Sequence, residues 1–157
     1  MKTIERTEYL NRIKNLKDTP DIKVITGIRR SGKSILMQEY IQYLKDNFND
    51  INFIFIDFMD LSFEHLKEYH ALHAYVEKRY VEGKSNYLFI DEVQMCPNFE
   101  LAVNSLYSKR KYDIYITGSN AFLLSADLAT LFTGRYIEIH VYPFSFKEYC
   151  NYYDNNH

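Results

Sequence analysis

The chain has no tryptophan, two cysteines, three prolines and five glycines among 157 residues, and these shortages close off whole classes of protein. Cys96 and Cys150 are too few and too far apart for a disulfide framework or a Cys-x-x-Cys pair, so a reducing interior is the expected setting. No apolar run approaches the roughly 20 residues that cross a bilayer. The N-terminal stretch M-K-T-I-E-R-T-E carries charge where a secretion signal needs an apolar segment. A cytoplasmic protein with no membrane association is the expectation. A net charge of -2 supplies no domain-wide field for nucleic acid or an anionic surface, so any such role needs a local patch. Internal repeats and low-complexity stretches are missing too.

What remains is an ordinary globular composition, 46% hydrophobic and 25% charged, in a length that suits one domain able to bury its own core. Fifteen tyrosines stand out, but aromatic residues at core spacing report packing, and no function is read from them.

The five glycines are placed rather than scattered. Two of them frame residues 27 to 34, G-I-R-R-S-G-K-S, which fit the phosphate-loop pattern G-x-x-x-x-G-K-[ST] at Gly27, Gly32, Lys33 and Ser34. The pattern carries weight only between a strand and a helix. The β-branched run I-K-V-I-T over 22–26 predicts that strand, and Met37, Ile41 and Leu44 at helical spacing predict the helix over 33–46.

Periodicity orders the rest. Tyr9, Ile13 and Leu16 predict an amphipathic helix over 5–17 that ends before Thr19-Pro20. Strands are predicted over 51–58, 87–91, 113–117 and 136–142, with helical segments over 61–82, 98–109 and 121–131 between them. Segment 61–82 offers Leu72, Val76 and Tyr80 as one stripe, a break near Tyr69 and Gly83 as a C-cap. The nearly unbroken apolar run I-N-F-I-F-I-D-F implies a strand covered on both faces. Five strands alternating with helices, with no hairpin signal, predict an α/β three-layer sandwich around a five-stranded parallel sheet.

The chemistry follows from these positions. Backbone N–H groups of a tight glycine loop at a helix N-terminus satisfy phosphate oxygens directly. The expected cradle is Gly27, Ile28, Arg29, Arg30, Ser31, Gly32, Lys33, Ser34 and Ile35. Lys33 would reach the β- and γ-phosphates, and the Ser34 hydroxyl would ligate Mg²⁺. Asp91 and Glu92 stand at the C-terminal end of an apolar strand, where open α/β sheets hold ligands. Asp91 suits the Mg²⁺ shell, and Glu92 suits a general base for an attacking water. Ser119 or Asn120, after the fourth predicted strand, would contact the γ-phosphate or the water, or simply form a polar turn. Arg135 would reach a neighbouring subunit's nucleotide as an arginine finger, or form a surface ion pair.

Taken together, Val24-Ile25-Thr26-Gly27 with Arg29-Arg30 and Gly32-Lys33-Ser34, then Phe89-Ile90-Asp91-Glu92-Val93-Gln94, Ile116-Thr117-Gly118-Ser119-Asn120, and Gly134-Arg135 before Pro143-Phe144-Ser145-Phe146, resemble the ATPase core of predicted AAA+ superfamily ATPases of bacteria and archaea. The resemblance spans nearly the whole chain. It implies strand order 5-1-4-3-2, ATP with Mg²⁺, Glu92 as the catalytic carboxylate, a polar sensor at Ser119 or Asn120, and Arg135 as finger in a homo-oligomer. It also implies an N-terminal helix over 1–20 packed on the core, a P-loop ATPase core over 21–143, and the start of a helical region over 144–157. Ser145-x-x-Glu148 has a capping-box pattern, and continuation into further domains past His157 is expected.

Rival signals are weaker. His70 and His73 have a spacing that would suit two metal ligands, but no third is evident. Lys109-Arg110-Lys111 is a basic cluster of the kind that forms a solvated face. No N-K-x-D guanine signature follows a strand, which favours ATP over GTP. A two-lobed helicase needs a second motor domain, and a small-molecule kinase does not ordinarily carry a base directly after the strand-end Asp. The leading expectation is ATP binding and Mg-dependent hydrolysis that drives or regulates attached domains or partners. The alternative is a nucleotide-dependent regulatory switch with little turnover. A protein or nucleic-acid client is compatible with either but not indicated.

Overall fold

The computed structural model describes residues 7–28, 31–119 and 125–143. Five strands, β1 (Ile22–Gly27), β2 (Ile51–Asp57), β3 (Ser85–Asp91), β4 (Tyr112–Ser119) and β5 (Tyr136–His140), form one sheet in the order β2-β3-β4-β1-β5. Every neighbouring pair is parallel. This is the expected α/β fold in the expected order, read from the opposite edge. Among the described residues five α-helices, α1 (Thr7–Asn15), α2 (Lys33–Asn47), α3 (Tyr69–Arg79), α4 (Phe99–Ser108) and α5 (Ser125–Leu131), alternate with the strands.

Because strand side chains alternate between faces, each strand divides its residues between two cores. Val24, Ile54, Ile56, Leu88, Ile90, Ile114 and Ile116 pack with α3, α4 and α5 through Leu72, Val76, Val103, Leu106, Leu128 and Phe132. Ile25, Tyr87, Phe89, Tyr115, Ile139 and Val141 pack with α1 and α2 through Ile13, Leu36, Met37, Tyr40 and Leu44. The parity matters for the site: Gly27, Asp91, Thr117 and Ser119 all fall on the α2 side of the sheet.

Two expectations need correction. The apolar run at 51–58 forms an edge strand rather than one covered on both faces. Ile54 and Ile56 are buried, but Ile51, Phe53 and Phe55 are only half-buried because β2 lies at the rim, beyond the helices that cover the centre. Segment 61–82 is mainly helical and breaks just before Tyr69, as expected. A 3-10 turn spans Leu61–Leu66, capped by Asp60, and α3 starts after Glu68, whose Oε2 accepts the Ala71 N–H at 2.6 Å. Gly83 is not the C-cap, since α3 ends at Arg79 and Tyr80 is already extended. Two asparagines account for the early stop. Asn52 Nδ2 donates to Arg79 O at 2.7 Å, and Asn86 brackets Val81, accepting its N–H at 3.0 Å and donating to its carbonyl at 2.9 Å.

The tyrosines do pack, as read, and they also close a buried polar network at the base of the α2-side core. Lys23 donates to Asp113 Oδ1 at 2.6 Å, Tyr115 OH donates to Asp113 Oδ2 at 2.7 Å, and the Tyr40 and Tyr115 hydroxyls meet at 2.8 Å. The Asp18 N–H completes the Asp113 carboxylate at 2.8 Å. Burial pushes the Asp113 carboxyl up from its ordinary value, against the pull of the Lys23 ammonium. With its hydrogen bonds filled and its cation adjacent, the buried charge is compensated.

Candidate nucleotide-binding site

β1 enters the glycine loop from the middle of the sheet, and the loop opens directly into α2. Gly27 has to be glycine: a Cβ there would stand 2.5 Å from the Val141 carbonyl oxygen and 2.6 Å from Ser31 Oγ. Val141 is held in that position because its N–H donates to Thr26 O at 2.7 Å. Gly32 takes a left-handed conformation, φ 93° and ψ 17°, as it turns the chain into α2, and Gly32 O accepts the first helical bond from Leu36 N at 2.9 Å. Gly32 offers no side-chain cap, and no acidic residue lies in the first turn of α2. The N-terminal N–H groups and the positive end of the helix dipole are therefore left to a ligand.

Lys33 is buried and donates to both Gly27 O and Ile28 O at 3.0 Å. An ammonium turned onto two carbonyls of its own loop is satisfied by oxygens that phosphate oxygens can replace. Burial pulls the Lys33 ammonium below its ordinary value, and the Glu92 and Asp91 carboxylates act against that shift. The lysine thus belongs to the same electrostatic site as the carboxylates. Ser34 is exposed at the start of α2, and Ile28 and Ile35 are both about half-exposed, at 47% and 52%. Arg29, Arg30 and Asn120 lie outside the described residues, as do Cys150 and the segment 144–157.

β3 brings in the carboxylates. Asp91, its last residue, is buried, and its Oδ1 accepts from Thr117 Oγ1. The same hydroxyl accepts the Glu92 N–H at 2.9 Å. Glu92 adopts a left-handed backbone, φ 58° and ψ 53°, which is uncommon for a side chain of this size and turns the residue out of the strand direction. Its Oε2 accepts from Gln94 Nε2 at 2.5 Å. Register aligns Gly27 with Ser119, so the end of β4 stands beside the start of the loop. Ser34, Glu92, Gln94 and Ser119 then line one cavity of about 540 Å³, with Ile28, Met59 and Met95 as its apolar wall.

Thr117 and Gln94 were missed as contributors, although both sit in runs singled out in the sequence. Seeing Thr117 against Asp91 requires knowing that β4 pairs with β3 and that Ile90 stands opposite Ile116. Arg135 is not drawn into this site. It precedes β5, its carbonyl accepts the N–H of Ile22 at the start of β1, and so it lies at the end of the sheet away from the loop. Its exposed guanidinium stands 5.8 Å from the Tyr107 ring centroid, and among the described residues it has no ion pair.

The other candidates resolve locally. His70 meets Glu68 at 2.6 Å, while His73 meets Glu77 at 3.0 Å and Ser105 at 2.9 Å. Among the described residues no group of three or more His, Cys, Asp or Glu gathers as a metal centre. Lys109 pairs with Glu77 at 3.5 Å, Arg110 lies over the Tyr107 ring at 6.0 Å and Lys111 over the Tyr80 ring at 4.6 Å, so all three basic residues at 109–111 have local partners. No helix among the described residues is long and apolar enough to cross a membrane.

A strand, glycine loop and helix in this order, with the strand-end carboxylates two strands away, is the arrangement that a protein family described as an AAA domain matches over residues 19–150. The chain belongs to this AAA-domain family. Its relatives extend across two domains of life. An uncharacterized protein of Haemophilus influenzae is 40% identical over 150 residues, covering 94% of this chain and 38% of the relative. An uncharacterized protein of Methanocaldococcus jannaschii is 30% identical over 154 residues, covering 97% of this chain and 33% of the relative. The AAA domain described here therefore spans little more than a third of the length of those relatives.

Among solved structures, AMPPCP-bound DnaA from Aquifex aeolicus superposes with a TM-score of 0.61 at 18% identity, over 99% of this chain and 51% of that one. PCH-2 from Caenorhabditis elegans gives 0.58 at 15% identity, over 88% of this chain and 43% of that one. At such identities the likeness is one of fold. Family and fold agree on a P-loop AAA+ domain of the nucleotide-binding, ATPase type.

Proposed function

We propose that this AAA domain binds ATP with Mg²⁺ and hydrolyses the β–γ phosphoanhydride bond, using Lys33, Ser34, Asp91 and Glu92 in a single site. The observation that carries the reading is the posture of Lys33, buried within electrostatic reach of two carboxylates and, among the described residues, bonded to the loop carbonyls of Gly27 and Ile28. On binding, the loop N–H groups take the phosphate oxygens and Lys33 exchanges its carbonyl partners for the β- and γ-phosphates. The Ser34 hydroxyl and the Asp91 carboxylate have the hard oxygen chemistry that Mg²⁺ requires. Mg²⁺ would neutralise charge on the β- and γ-oxygens. Glu92 orients a water for in-line attack and accepts its proton as the bond to the γ-phosphorus forms. Ser119, in the same cavity, contacts the γ-phosphate or that water. Asn120, next in the chain, remains the other candidate for this role.

The test is calorimetric titration with Mg·ATP and Mg·GTP, run in parallel on Lys33→Ala. Selective ATP binding that disappears in the variant supports the reading, and a folded wild-type chain that binds neither nucleotide sinks it.

A second reading is favoured by the position of Arg135. No described arginine lines the cavity, and Arg135 lies toward the opposite end of the sheet. A lone domain would then turn over slowly and act as a nucleotide-held switch until a second copy presents its Arg135 in trans. Partners, attached domains and the work done by hydrolysis belong to the longer polypeptides of this family and are proposals for this chain.

A further inference from the structure

Thr117 is buried in β4, and its hydroxyl touches both site carboxylate residues. It donates its proton to Asp91 Oδ1 and receives the Glu92 N–H at 2.9 Å. A hydroxyl has one proton to give, so these two bonds fix its direction, and they demand that Asp91 act as acceptor. Occupying Oδ1 leaves the remaining lone pairs of the Asp91 carboxylate for another partner. The bond from the Glu92 N–H lies at a residue whose backbone is left-handed, φ 58° and ψ 53°. Such a backbone is disfavoured for a residue with a side chain and persists only where neighbouring groups hold it. The Thr117 bond is one such restraint. Without it, the carboxylate aimed into the cavity has a looser base. The side chain at 117 does not line that cavity, whereas Ser119, on the same face of the same strand, does.

We infer that Thr117 is a positioning residue of this AAA domain: its hydroxyl orients Asp91 for the metal and pins the Glu92 backbone, so the two carboxylates move with β4 as one unit. The inference rests on the roles proposed above for Asp91 and Glu92. It goes beyond them by assigning a third residue that contacts neither nucleotide nor metal. Partners of ligating carboxylates typically change metal affinity or activity by about 10- to 100-fold when removed.

The experiment compares Thr117→Val, Thr117→Ser and Thr117→Ala with wild type. Valine keeps the shape without the hydroxyl, while serine and alanine share the same packing loss and differ only in the hydroxyl. Two readouts are taken: hydrogen exchange of the Glu92 amide in nucleotide-free protein, and the Mg²⁺ concentration at half-maximal enhancement of ATP-analogue binding. Expected are faster Glu92 exchange in Thr117→Val and Thr117→Ala, and an Mg²⁺ requirement raised about 10-fold or more, with Thr117→Ser close to wild type in both. Metal-free nucleotide binding stays unchanged. Wild-type behaviour of Thr117→Val in either readout overturns the inference. So does Thr117→Ser matching Thr117→Ala, because the methyl rather than the hydroxyl would then carry the effect. A wild-type chain with no Mg²⁺-dependent nucleotide binding defeats the functional reading instead, and the exchange arm still decides whether the hydroxyl pins Glu92.

Discussion

Lys33 is held where a positive charge is disfavoured by burial and favoured by two nearby carboxylates, and the roles proposed for the residues around it divide into binding and reacting. Glu92→Gln keeps the size and the hydrogen bond to Gln94 but removes the base. Steady-state ATP turnover is expected to fall by about 10²- to 10⁴-fold with nucleotide affinity little changed, which a coupled phosphate-release assay beside titration will show. Gly27→Ala acts at the other end of the loop. Its Cβ would meet the Val141 carbonyl at 2.5 Å, and backbone cannot rotate away as a flexible side chain does. Denaturant unfolding should register a loss of about 1–3 kcal/mol, with nucleotide binding weakened because the loop must shift. Had the collision been only with Ser31 Oγ, a rotamer change would have absorbed it.

Among the elements, β1 and β4 carry a buried ion pair whose value lies in being complete. Asp113→Asn leaves Lys23 in the core without its anionic partner, and removing one member of a buried pair typically costs about 3–5 kcal/mol. The double variant Lys23→Met with Asp113→Leu should recover much of that loss in thermal or denaturant melts, though the hydroxyls of Tyr115 and Tyr40 would still need an acceptor. The end of α3 offers a gentler test. Asn86 supplies the hydrogen bonds of Val81 where helical ones stop, so Asn86→Ala should cost about 1–3 kcal/mol through stranded backbone groups. Its signature is faster amide exchange at Val81 ahead of the sheet interior.

At the scale of the molecule, the sheet carries the proposed site at one end and a buried polar network toward the other. Gly27, Asp91 and Ser119 close the C-terminal ends of three adjacent strands, while Arg135 and the Lys23–Asp113 network lie toward the other. An arginine so placed can meet a nucleotide only on another copy. If the finger role holds, specific ATPase activity should rise with protein concentration, and Arg135→Ala should abolish that rise while leaving ATP affinity as it was. Concentration-independent activity that is insensitive to Arg135→Ala would leave the Tyr107 ring contact as its whole role.

Much of this was legible from residues alone, because the signals were local. Alternating strands and helices follow from hydrophobic period, the loop from four residues at fixed spacing, and Asp91-Glu92 from an apolar run that ends in two acids. Those same patterns determined the α/β fold and the side of the molecule on which a phosphate ligand would sit. Tertiary structure alone decided the rest, wherever the answer depended on which strands are neighbours. Pairing of β3 with β4 puts the Thr117 hydroxyl against Asp91 and Glu92, 26 and 25 positions away in sequence. The rim position of β2 leaves an apolar run half-covered that looked fully buried. Asparagines on two strands end α3 before its glycine. In each case a side chain met a partner that sequence spacing does not encode, and hydrogen-bond satisfaction or solvent access in the folded chain chose the outcome.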